Sequence, residues 1–171
     1  MTPRPRTANA ALRRARVDYI TEESVYGTVL VSGMIVAAGS YHATSMQVFL
    51  TVLTTVIVFW AAHVYAGTIA GHGVEEGGGG LSASFQRALR RSVGFLTSAV
   101  PPSFVLLLGG LRIVDDTVAL WTALWLGVAI LAVLGYIVFA LRGDSWPVRI
   151  IGSITTALFG IAMIVLKAVI H

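Results

Sequence analysis

Long apolar runs separated by short polar breaks organise this chain. A bilayer core about 30 Å thick takes about 20 apolar residues of helix to cross. Five stretches approach or meet that length: residues 21–39, 46–70, 92–111, 117–141 and 148–170. The first is the weakest, because its apolar part starts only at Ser24 and residues ahead of it must join to reach span length. None of the five carries a charge at its centre. The pattern predicts an all-α membrane protein, a bundle of five transmembrane helices.

The polar breaks contain the chemistry that starts and stops helices. Thr44-Ser45-Met46-Gln47 fits a capping box, in which Thr44 accepts an early helical N–H and Gln47 reaches back, so the second helix is predicted to open here. Asp116 is the expected cap of the fourth. Asp144-Ser145-Trp146-Pro147 offers a cap followed by a first-turn proline, where a missing N–H costs nothing, and predicts the start of the fifth. Gly39, Gly71 and Gly143 mark other ends. The remainder divides into an Arg-rich tail, residues 1–20, and a loop, residues 71–91. In that loop a polyglycine linker precedes Leu81, Phe85 and Leu89 at four-residue spacing, a pattern that suits a short helix lying on a membrane surface.

Composition agrees with the pattern. Of 171 residues 56% are hydrophobic and 12% charged, against about 25% charged in ordinary soluble domains. There is no cysteine, which excludes disulfides, thiolate metal sites and cysteine nucleophiles. Basic residues are eleven Arg and one Lys amid heavy Ala, Val and Gly usage, a texture that resembles small integral membrane proteins of GC-rich, actinobacteria-like bacteria. The resemblance implies a multi-pass protein of the bacterial cytoplasmic membrane.

Basic residues resist translocation, so their distribution predicts orientation. With five spans and the N-terminus inside, Arg4, Arg6, Arg13, Arg14, Arg16, Arg87, Arg90, Arg91, Arg142 and Arg149 are cytoplasmic, and only Arg112 and Lys167 are outside, the latter snorkelling from the last turn. The expectation is N-terminus in, C-terminus out. Two rivals exist. The first segment, ending Ala37-Ala38-Gly39, has small residues at cleavage-type spacing, although its basic region is long for a signal peptide. Pro101-Pro102 near the middle of the third could make it re-entrant, and charge balance does not separate that topology from five spans.

Candidate chemistry is sparse. On the second helix Thr54, Tyr65 and His72 fall within about 20° of one another, with Thr68 near them, which makes a candidate polar or pore stripe. His63 is half a rotation from His72, so the two cannot share a metal, and it is the candidate titratable group within the membrane. It is expected to hydrogen-bond another helix or to handle protons or ions. Gly152, Thr156 and Gly160 form a small-xxx-small ladder that predicts close helix packing. Glu22 and Glu23 are expected at the start of the first helix, where they complement its dipole.

No nucleophile motif, phosphate loop or HExxH occurs, and no acid is expected at membrane depth to orient a base, so no catalytic residue, cofactor or metal is predicted. Without an internal repeat, a transporter folded from inverted repeats within one chain is not expected. The predicted partners are the lipid bilayer and either further copies of the chain or another membrane protein; nucleic acid is not among them. Two functions follow: a noncatalytic subunit that self-associates or packs in a membrane assembly, or an oligomeric ion or proton channel or transporter using the α-helical polar stripe. A membrane enzyme or metal handler is the weakest reading.

Overall fold

A computed structural model describes the backbone of residues 5–39, 43–71 and 80–170, and the side chains of 22–39, 43–71 and 80–169. Six helices occur among these residues, and no strand: α1 (Pro5–Ala38), α2 (Ser45–Ala70), α3 (Leu81–Arg91), α4 (Val93–Gly110), α5 (Asp116–Leu141) and α6 (Trp146–Ile170). Four stretches are long and apolar enough to cross a membrane: Ser45–Ala70, Leu81–Gly110, Asp116–Leu141 and Trp146–Val169.

Helix α1 occupies the middle, packed against α2, α4, α5 and α6. Its Val31, Ile35 and Val36 join Val48, Val52 and Val56 of α2, Phe95 and Leu106 of α4 and Leu124 of α5 in one buried cluster. The outer wall is equally apolar. Leu50, Ile57, Phe104, Trp125, Val133, Leu158 and Val165 are all exposed. A surface this oily suits hydrocarbon, where apolar contact alone gives helices no reason to associate and small residues with interhelical hydrogen bonds take over. Gly109 shows how: a Cβ there would lie 2.6 Å from both the Ala119 Cβ and the Ser45 Oγ, so α2, α4 and α5 meet at a point that admits no side chain. The Gly152–Gly160 ladder is closed in the same way by α5. A Cβ on Gly152 would collide with the Phe139 ring, one on Gly160 would lie 3.0 Å from the Val128 Cα, and the Thr156 hydroxyl lies over Gly135. That face is therefore occupied within the chain, and association between copies has to use other surface.

One end of the bundle is fastened by polar contacts between helix termini. The Thr44 capping box is present in both directions. The α5 cap, however, is Asp115, whose side chain accepts from the N–H groups of Thr117 and Val118. Asp116, the residue expected to cap α5, is the first residue inside the helix, and its carboxylate instead accepts the Ser45 N–H at 2.8 Å, tying α5 to the start of α2. Lys167 does not snorkel. It is buried and its Nζ donates to the Gly39 carbonyl at 2.8 Å, which joins the last turn of α6 to the end of α1.

The rival in which the third segment turns back is not seen, and one further expectation changes. Helix α4 runs through Pro101 and Pro102 without turning back, as a proline-containing helix can where surrounding helices hold it. Helix α1 is 34 residues long and begins far ahead of Glu22 and Glu23, so these carboxylates lie well inside a helix and not at its start.

Candidate functional site

The bundle end opposite Gly39 holds a second group of ionisable side chains, Glu22, Glu23, His63, Arg91 and Arg142. Measured along α1, Glu23 is sixteen residues from Gly39, about 24 Å at 1.5 Å per residue, and His63 is eighteen residues from Ser45, about 27 Å along α2. The two antiparallel helices thus carry an acid and an imidazole to the same depth. The His63 Nε2 lies 3.4 Å from the Glu23 Oε1.

This pair is loosely made. A good N–H···O bond spans about 2.7–3.2 Å. The His63 side chain is 51% exposed and that of Glu23 only 13%. An ion pair with one partner so open contributes at most about 1 kcal/mol. The second carboxylate oxygen, Oε2, is buried without a hydrogen-bond partner, and so is the indole Nε1 of Trp60, one turn from His63 on α2. Leaving a buried polar atom unsatisfied costs about 1–3 kcal/mol. Glu23 thus gains little from His63 and keeps one carboxylate oxygen without a partner.

Around the pair opens a cleft of about 980 Å³. Its charged lining is Glu22 and Glu23 from α1, His63 from α2, Arg91 at the end of α3 and Arg142 just beyond α5. Its apolar lining includes Val25, Tyr26, Val29, Phe95, Val138 and Phe159. The Tyr26 and Phe95 rings lie 6.1 Å apart, and the Arg142 guanidinium is 6.0 Å from the centre of the Phe139 ring. Helix α3 closes the cleft at the α2 side. Its Ser84 hydroxyl donates to the Gly71 carbonyl, and Ala88 packs on Gly67, where a Cβ would lie 3.2 Å away.

The α2 stripe has a different setting. Thr54 is exposed, and Tyr65, 68% exposed, points away from the bundle. Thr68 is buried and its hydroxyl donates to the Val64 carbonyl one turn back. His72 lies outside the described residues. Thr54 and Tyr65 face outward, and Thr68 bonds within its own helix.

His63 stands out in the sequence, while its partner Glu23 lies forty residues away in the chain on another helix, where the sequence predicts a helix start. Comparing the depths of Glu23 and His63 from the Gly39 and Ser45 ends was the available signal. Among the described residues no cluster of three or more His, Asp or Glu side chains suits a metal ion. Comparison with protein-family models, with curated proteins and with solved structures finds no match.

Proposed function

We propose that the protein is a five-span membrane protein that moves protons, or an ion coupled to protons, through the Glu23–His63 cleft. The observation that carries this reading is a largely buried carboxylate at one end of a helical bundle, with one oxygen unpartnered and the other against a half-exposed imidazole. A sheltered titratable group beside a second one in a cleft is a candidate functional site. Here a carboxyl and an imidazole stand within proton-transfer reach of one another. Both side chains line the cleft, Glu23 the more sheltered and His63 the more open. A proton entering through the cleft meets His63 and passes to Glu23.

Helix α1 is the fifth span in this reading. Along its described side chains, residues 22–38, Ser24, Thr28 and Ser32 are buried against the other helices. The basic side chains of Arg87, Arg90, Arg91, Arg142 and Arg149 then belong at the cytoplasmic end, which puts the N-terminus inside and the C-terminus outside, in a bacterial cytoplasmic membrane. The outward Thr54 and Tyr65 favour a second role for α2: they suit contact with another copy or another membrane protein, as in an assembly subunit. Reconstitution into vesicles with a trapped pH dye tests the proton reading. An imposed gradient of pH or of a monovalent ion should collapse faster with protein than without it, and equal rates would overturn the proposal.

A further inference from the structure

The cleft is graded along its length. Its acidic, basic and imidazole side chains lie at the bundle end: Arg91 is the last residue of α3, Arg142 follows the last of α5, and Glu22 and Glu23 lie on α1, Glu23 beside His63. From there the lining turns apolar toward the middle of the bundle. Val29 is six residues beyond Glu23, about 9 Å along α1, and Phe159 is thirteen residues beyond Trp146, about 20 Å along α6. A head with polar partners at the interface and an apolar track running toward the midplane is the layout of a membrane amphiphile in that leaflet. The volume of about 980 Å³ lies within the range of about 300–1,000 Å³ usual for small-molecule sites.

The signs of the charges narrow the head. Two carboxylates and two guanidiniums cancel when His63 is neutral. A purely cationic head would meet Arg91 and Arg142, and a purely anionic one Glu22 and Glu23. A zwitterion satisfies both sets, with phosphate toward the guanidiniums, which match phosphate geometry, and an N–H-bearing ammonium toward the carboxylates. We propose that the cleft is a phospholipid site whose occupant joins a phosphate to a primary ammonium, an ethanolamine-type lipid, its acyl chain lying along Val29, Val138 and Phe159. This goes beyond proton movement and does not require it.

The test is native mass spectrometry of the full chain, purified in mild detergent, stripped of lipid and offered an equimolar mixture of ethanolamine, choline and glycerol phospholipids. Wild type should retain the ethanolamine lipid in preference to the other two. Arg142→Glu, at an exposed position, should weaken retention about tenfold or more through loss of a charge-assisted bond. Val138→Trp should abolish it by filling the apolar half, with far-UV circular dichroism confirming the fold; should that variant not fold, Arg142→Glu decides. Millimolar free phosphoethanolamine should displace little lipid. Equal retention of the three heads, or retention unchanged in Arg142→Glu, would overturn the proposal. So would binding of free phosphoethanolamine that is indifferent to Val138→Trp, which would assign a water-soluble zwitterion. Vesicle flux measured on the same variants keeps the two readings apart, because lipid retention can fail while proton movement persists, and the reverse.

Discussion

Adding one methyl group should have opposite effects at two glycines. At Gly33 the nearest atom to a new Cβ is the Met163 Sδ at 3.8 Å, an ordinary contact. Gly33→Ala should therefore stabilise, by up to about 1 kcal/mol, the difference in helix propensity between the two residues. At Gly109 the same methyl would lie 2.6 Å from the Ala119 Cβ and 2.8 Å from the Ser45 Cβ. Carbon pairs rest at about 3.5–4.0 Å, so each neighbour must retreat by about 1 Å. Neither can rotate aside, since both Cβ atoms are fixed to helix backbones and Ser45 is further held by Asp116. Overpacking of this kind costs about 1–3 kcal/mol, and with two collisions the upper part of that range applies. After the propensity gain, Gly109→Ala should be destabilised by about 1–2 kcal/mol, leaving the two variants about 2–3 kcal/mol apart. Unfolding by sodium dodecyl sulfate in mixed micelles, followed by circular dichroism, measures this. Equal midpoints for the two variants would refute the three-helix contact at Gly109.

Asp115→Ala should cost about 1 kcal/mol in the same assay through loss of the α5 cap; a negligible loss would return the capping role to Asp116. A phosphatase fused after His171 should be active and a cytoplasmic fluorescent reporter there dark, as five spans with an inside N-terminus require. The reverse pattern would remove α1 from the membrane or invert the bundle.

How far the chain could be read without its structure depended on whether an element answers to its neighbours in sequence or in space. Helices α2, α5 and α6 expose apolar side chains over much of their surface, so hydropathy marks them. The Thr44–Gln47 cap is a local contact across three residues and was equally legible. Helix α1 was harder because a hydropathy window registers fitness for lipid. Ser24 donates to the Gly94 carbonyl, Thr28 to the Ser24 carbonyl one turn back, and Ser32 fits against Gly127. The polar content that weakens α1 as an apolar run is what lets it occupy the centre. Lys167 was misread for a related reason: its partner carbonyl, at Gly39, lies 128 residues away. The Glu23–His63 pair spans forty residues and two helices, and no motif announces it. Only the assumption that Glu23 began its helix hid the matching depths of the two side chains.

The central claim, that Glu23 and His63 form a proton-handling pair, is tested most directly by glutamine at each position in reconstituted vesicles. Glutamine keeps hydrogen-bonding capacity but does not titrate. Wild type should show a flux that varies with pH. Glu23→Gln and His63→Gln should each remove that dependence while leaving the unfolding midpoint within about 1 kcal/mol of wild type, as befits so loose a pair. Thr54→Ala, at an exposed site on the outer face of α2, should leave the flux unchanged. A flux whose pH profile survives both glutamine substitutions would contradict the account.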